Sequence, residues 1–152
     1  MENNEKLIDK LQQLVTGLFM QADLHDVQYR IFKFNGYYRL ADRYRKRIEA
    51  ERIFTRRTMK RILELGGEIK IEERAGEPVY SDPIEALKYD LDKTYNSLSW
   101  VKEALAESAD NFVVYYFLIE LYKYAQESIN WLGRQVRLAE VLGKENWYLK
   151  QL

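Results

Sequence analysis

Residues that break helices are concentrated at a few points in this chain of 152 residues. The two prolines, Pro78 and Pro83, lie in one stretch, and most glycines mark other breaks, at Gly36, at 66–67 and at Gly143. Proline and glycine are the residues least compatible with a helix interior. The long segments between these points are therefore expected to form uninterrupted helices.

Apolar residues recur three or four positions apart within each segment, which is the pattern of amphipathic helices. The only alternation of the kind seen in strands is a weak one at 68–72. The chain is therefore predicted to be all-α. The four apolar stripes consist of Leu7, Leu11, Leu14, Leu18 and Ala22; Leu40, Tyr44, Ile48, Glu51, Phe54, Met59, Ile62 and Leu65; Leu87, Leu91, Thr94, Leu98, Val101 and Leu105; and Val114, Leu118, Leu121, Ala125, Ser128 and Leu132.

The third helix has the clearest start signal in the chain. Ser81 or Asp82 is its expected N-cap, because either side chain can accept a hydrogen bond from the first turn, and Pro83 suits that turn. The connections before the second and fourth helices are tight, so each joins an antiparallel hairpin. The predicted helices span about 5–34, 37–65, 81–109, 112–142 and, as a short fifth helix, 144–151.

The connection at 66–81 is much longer than the others and determines the topology. Helices of nearly 30 residues are about 40–45 Å long, and an extended segment of 16 residues reaches about 50 Å. This connection can therefore cross the whole bundle and make the second and third helices parallel. One long central crossover is the arrangement of ferritin-like bundles rather than of simple up-down bundles.

Composition excludes several classes of function. The chain has no cysteine, so disulfides, thiolate catalysis and cysteine-bound metals are ruled out. Its 24 basic and 24 acidic residues balance, which gives no general attraction to nucleic acid or to a membrane. The first residues are polar, and the longest apolar run, at 112–119, is too short to span a bilayer. A cytoplasmic protein of one domain is expected.

Four segments resemble the bacterioferritins, in the same order and at matching spacing. The resemblance covers nearly the whole chain and implies a single ferritin-like domain, 1–152, with a short C-terminal helix and assembly from dimers towards a hollow shell. The DNA-protecting ferritin-like proteins share the bundle but lack this C-terminal ending, and they typically carry a short helix in the crossover. The four segments are 32–40 (FKFNGYYRL), 61–67 (RILELGG), 130–132 (NWL) and 142–149 (LGKENWYL).

The resemblance also implies where a di-iron site would lie. In the family, two helices each supply one Glu and the other two each supply Glu-x-x-His. Only Glu51 keeps a ligand at the matching positions, and no histidine follows His25. We therefore expect no di-iron centre, no ferroxidase activity and a closed, well-packed bundle interior. The matching positions are Leu18, Glu51, Phe54, Thr94, Ala125 and Ser128.

The other family sites are altered as well. Arg52 stands where the family has its haem-binding methionine, so no haem and no other cofactor is predicted. Lys46 and Ala50 match inner-surface positions that are thought to help iron entry in the family.

Glu51, on an apolar stripe, has two interpretations. It could form half of a residual metal site with His25. The favoured interpretation is a buried carboxylate neutralised by Arg47 or His25, because a buried charge needs a partner.

Two residue classes are abundant enough to suggest further roles. The basic residues of the second helix could bind phosphate or nucleic acid, but they alternate with acidic residues, which favours salt bridges. The tyrosines of the fourth helix are expected to serve packing. These residues are Arg43, Arg45, Lys46, Arg47, Arg52, Arg56, Arg57, Lys60 and Arg61, and Tyr115, Tyr116, Tyr122 and Tyr124.

Three functions remain open from sequence alone. The first is a non-catalytic structural or binding subunit of a homo-oligomer. The second is an iron-storage subunit that relies on a co-assembled active ferritin-like subunit or on surface carboxylates, and a weaker third is a DNA-protecting stress protein. Apolar residues outside the stripes suggest a dimer face, and the C-terminal helix suggests shell contacts. The two sets are Phe19, Met20, Val27, Tyr29, Ile31, Tyr38 and Ile53, and Trp147, Tyr148 and Leu149.

Overall fold

The computed structural model describes residues 2–152 and contains five helices. No strand occurs in this part of the chain, and the weak alternation at 68–72 lies in an irregular segment. The all-α prediction is confirmed, and the predicted helix boundaries agree with the observed ones to within a few residues. The helices are α1 (Glu2–Phe34), α2 (Tyr38–Glu64), α3 (Pro83–Glu107), α4 (Phe112–Leu142) and α5 (Lys144–Leu149).

Side-chain caps begin the two helices of the second hairpin. The Asp82 carboxylate accepts a hydrogen bond from the Ile84 backbone N–H at 3.1 Å, with Pro83 in the first turn. Asn111 accepts in the same way from the N–H of Val114 at 3.2 Å. Each cap satisfies a backbone donor that has no partner within its helix.

The crossover between α2 and α3 runs along α1, held by two glutamines. Gln12 donates to the Lys70 carbonyl and accepts from its N–H, both at 2.9 Å. Gln28 pairs with the backbone of Tyr80 in the same way, at 2.9 and 2.7 Å. The earlier glutamine of α1 holds the earlier crossover residue and the later glutamine holds the later one, so the crossover runs in the same direction as α1. It returns the chain to the end where α2 began, and α2 and α3 are therefore parallel.

The apolar core is divided into two clusters, one at each end of the bundle. One contains residues from the start of α1, the end of α2, the end of α3 and the start of α4, among them Leu11, Ile62 and Leu118. The other joins the starts of α2 and α3, where Leu40 and Leu87 are fully buried. The space between them is occupied by polar side chains and by a cavity.

Trp147 of the C-terminal helix is part of the bundle core, which corrects the expectation that this residue makes shell contacts. Trp147 is 1% exposed, and its indole N–H donates to Gln135 at 3.1 Å. The Tyr148 hydroxyl donates to Asp82 at 2.6 Å. Of the three predicted contact residues only Leu149 is exposed. None of the described helices is long and apolar enough to cross a membrane.

Candidate functional site

Five polar side chains form a layer across the centre of the bundle, between the two apolar clusters. They come from α1, α2 and α3, and each is at most 6% exposed. Four of them carry charge, which is rarely found this deep in a protein without a partner. This polar layer consists of His25, Tyr44, Arg47, Glu51 and Asp90.

His25 stands between the two carboxylates of the layer. Its Nδ1 lies 2.6 and 3.0 Å from the two oxygens of Glu51, and its Nε2 lies 3.0 Å from Oδ1 of Asp90. A carboxylate accepts hydrogen bonds, so both ring nitrogens act as donors and the ring is an imidazolium. The predicted pairing of Glu51 with a basic partner is confirmed, and that partner is His25.

Asp90 is bound from three sides. Besides His25, the Tyr44 hydroxyl donates to Oδ2 of Asp90 at 2.5 Å, and Arg47 Nη1 lies 3.3 Å from the same oxygen. Arg47, the other predicted partner of Glu51, is therefore paired with Asp90 instead. Two cations and two carboxylates sum to zero charge, which is how the bundle interior accommodates them.

The electrostatics agree with this assignment. Burial alone would lower the pKa of His25, but Glu51 and Asp90 outweigh it and raise that pKa to about 9. Burial would likewise raise the pKa of Asp90, yet His25 and Arg47 hold it at about 2. The pKa of Tyr44 is raised well above its usual value by burial and by Asp90, so its hydroxyl stays protonated as a donor. His25 and Asp90 are thus both charged near neutral pH.

The layer does not fit the implied di-iron centre. Both nitrogens of His25 are engaged by carboxylates on opposite sides of the ring, so no ligand set converges on a common point. Within residues 2–152, no group of three or more His, Asp or Glu side chains is arranged to hold a metal ion. This arrangement favours the neutralised-carboxylate interpretation of Glu51 over the residual metal site.

A cavity of about 480 Å³ adjoins the polar layer, so the expected closed interior is not observed. Its mouth is marked by exposed lining residues on α1, Gln13 and Gly17, and on α3, Asn96 and Ser97. The physical reason for the cavity is volume, because Thr, Ala and Ser are too small to fill the space between four helices. Five of the six positions matched to the di-iron ligands line this cavity, namely Leu18, Phe54, Thr94, Ala125 and Ser128.

Salt bridges account for most of the basic residues on α2, as predicted. Arg57 lies 2.6 Å from Glu120 of α4. Arg52, at the position of the haem methionine, lies 3.0 Å from Asp23 of α1. The remaining pairs include Arg45 with Glu49 at 2.7 Å.

Asp90 is a residue of the polar layer that the sequence interpretation missed. A signal was present, since Asp90 lies on the stripe between Leu87 and Thr94, just as Glu51 lies on the stripe of α2. Gln12 and Gln28 of α1 were also missed, although both are buried.

Comparison with known proteins places this geometry in context. Residues 8–141 match the sequence model of the ferritin family, which describes the ferritin-like domain. Bacterial ferritins of Neisseria meningitidis serogroup B and of Neisseria gonorrhoeae are each 30% identical over 155 aligned residues, covering 100% of both chains. The solved bacterioferritin of Rhodobacter capsulatus, described with a metal-free dinuclear site and haem iron, superposes with a TM-score of 0.92. It is 21% identical, and the match covers 97% of this chain and 93% of that one, which shows a common fold.

Proposed function

The chain belongs to the ferritin-like family, and we propose that it is a non-catalytic member, a structural or binding subunit of an oligomer. In this proposal an internal ion-pair layer replaces the di-iron centre. The observation that carries it is the position of His25, with Glu51 on one side at 2.6 Å and Asp90 on the other at 3.0 Å. The cytoplasmic location expected from the sequence belongs to the same proposal.

Iron binding at the layer would have to disrupt these ion pairs. Iron requires hard oxygen and imidazole ligands that are free to converge on it. If Glu51 and Asp90 bound iron, His25 and Arg47 would be left as buried cations without counter-ions. Breaking one buried ion pair typically costs about 3–5 kcal/mol. Leu18, at a matched ligand position, has no donor atom to offset that cost.

Exposed apolar residues on the first hairpin support the oligomer. Val27 is 45% exposed, Ile53 is 48% exposed and Tyr38 is 63% exposed. A symmetric interface would remove these side chains from water. Three other members of the predicted dimer face make contacts within the bundle. Phe19 and Tyr29 pack against the two apolar clusters, and Met20 lines the cavity.

The match to bacterial ferritins over the full length favours a second candidate. This is an iron-storage subunit whose iron is oxidised on a co-assembled active subunit or at surface carboxylates. The DNA-protecting alternative gains no such support, because the described crossover contains no helix.

Aerobic oxidation of ferrous iron by the purified chain tests the proposal. We expect a rate equal to that of protein-free buffer, with a ferritin that has an intact di-iron centre as the positive control. Oxidation well above the protein-free rate, with stoichiometric uptake of iron, would overturn it. A mixed particle that takes up iron only when an active subunit is present would instead establish the storage candidate.

Light scattering coupled to size-exclusion chromatography tests the oligomer. We expect a mass of at least twice 18.3 kDa. Ile53→Glu should reduce that mass, because it places a charge in the interface, whereas Val141→Glu, at a 76% exposed position on α4, should not. A mass near 18.3 kDa at all concentrations would refute the assembly.

A further inference from the structure

We propose that the cavity beside the polar layer is a binding site for an uncharged, mostly apolar small molecule with one hydrogen-bond acceptor. The hydroxyl of Tyr124 donates a hydrogen bond to that acceptor. This inference goes beyond the proposed function, and it holds whether or not the subunit assembles further.

The size and the walls of the cavity define the class of ligand. Its volume of about 480 Å³ lies within the range of about 300–1,000 Å³ that is typical of small-molecule sites. Protein interiors are otherwise packed without voids of this size, and apolar walls hold water poorly. An apolar molecule is therefore the better occupant. The walls include Leu14, Leu24, Phe54, Trp100, Val101 and Leu121.

Tyr124 supplies the one directional contact. Tyr124 lines the cavity, and its buried hydroxyl makes no hydrogen bond of ordinary geometry with the described residues, although Arg47 and Ser128 lie nearby. Burial raises the pKa of Tyr124, so the hydroxyl remains protonated and can donate. A buried hydroxyl without a partner is unfavourable, and a ligand carbonyl or ether oxygen would satisfy it.

The ligand is uncharged because the charges around the cavity are already paired. At the inner end, His25 is matched with Asp90. On the α3 side, Lys93 pairs with Glu77 of the crossover. A charged ligand would therefore be buried without a counter-ion, which is unfavourable.

Two helical glycines provide a matched pair of variants for the test. A Cβ at Gly17 or at Gly133 meets nothing within 4 Å, so both positions accept a side chain. Only Gly17 lines the cavity. Replacing either glycine with leucine should favour the helix, so neither variant is expected to unfold.

The probe is 6-propionyl-2-(dimethylamino)naphthalene, an uncharged fluorophore whose carbonyl accepts hydrogen bonds and whose emission reports them. We expect saturable binding at one molecule per subunit, weakened at least tenfold by Gly17→Leu and unchanged by Gly133→Leu. Tyr124→Phe should weaken binding by about tenfold and shift the emission to shorter wavelength, since one hydrogen bond is lost. The anionic probe 1-anilinonaphthalene-8-sulfonate should not displace the neutral probe.

Several results would overturn the inference. These are the absence of saturable binding, equal binding by the two leucine variants, an emission unchanged in Tyr124→Phe, or displacement by the anionic probe. Circular dichroism of each variant establishes that it has folded, so that lost binding is attributed to the site.

Discussion

Nδ1 of His25 lies 2.6 Å from Oε1 of Glu51, and this contact joins α1 to α2 at the centre of their hairpin. The opposite nitrogen of the same ring reaches Asp90 of α3. One side chain thus ties three helices together through two ion pairs. Because both carboxylates are buried, the stability of the bundle depends on keeping these pairs intact.

Glu51→Gln should destabilise the protein by about 3–5 kcal/mol, because it leaves the buried His25 cation short of one partner. Glu49→Gln, on the same helix, is the matched control. Glu49 pairs with Arg45 at the surface, where such a pair contributes about 1 kcal/mol or less. Urea unfolding measures the stability of both variants. Equal unfolding midpoints for Glu51→Gln and the parent protein would contradict the buried ion pair.

Stability should fall on both sides of neutral pH. The pKa of His25 is raised from 6.5 to about 9, so its contribution is complete below pH 6.5 and is lost as the pH rises through 9. A shift of this size corresponds to about 3 kcal/mol. Asp90 has a lowered pKa, about 2 instead of 3.8, so its contribution is present above pH 3.8 and is lost as the pH falls through 2.

Chemical denaturation from pH 6 to pH 9.5 tests the alkaline side. His25→Gln should abolish the loss of stability over this range, although it lowers stability at every pH within it. An alkaline decline of the same size in both proteins would assign the effect to other groups.

The crossover should loosen when its glutamine contacts are removed. Gln28→Leu removes both hydrogen bonds to the backbone of the half-buried Tyr80, and at about 0.5–1.5 kcal/mol for each bond the cost is about 1–3 kcal/mol. Hydrogen exchange at the Tyr80 amide should accelerate while that at Lys70, held by Gln12, stays unchanged. Gln21→Leu is the control, since Gln21 makes no hydrogen bond with the described crossover. Unchanged exchange at Tyr80 would show that Gln28 does not hold the segment.

The sequence predicted the helices, a cap at Ser81 or Asp82 and the direction of the crossover, because these follow from periodicity, turn chemistry and chain length. It also predicted the pairing of Glu51, since a charge on an apolar stripe needs a partner. It could not predict the cavity, which depends on the summed side-chain volume of four helices rather than on any one stripe. Trp147 was misplaced because a helix of six residues is too short to show which face it buries.

Filling the cavity should stabilise the bundle. Ala125 lines the cavity, so Ala125→Leu should add about 1 kcal/mol, as is common for such substitutions. Ala139→Leu, on the same helix but in a filled apolar cluster, should destabilise the protein by about 1–3 kcal/mol through overpacking. Thermal unfolding distinguishes the two, and a destabilised Ala125→Leu would mean that the space is not free.

The protonation state of His25 tests the central claim most directly. The chain has one histidine, so the imidazole signals in a nitrogen-15 spectrum belong to His25 without further assignment. Solid-state measurement makes this independent of the size of the assembly. The ion-pair layer predicts that both ring nitrogens are protonated at pH 7.5, with a pKa of about 9, and that adding ferrous iron without oxygen leaves the signals unchanged. A neutral ring at pH 7.5, or a signal shifted by iron, would contradict it.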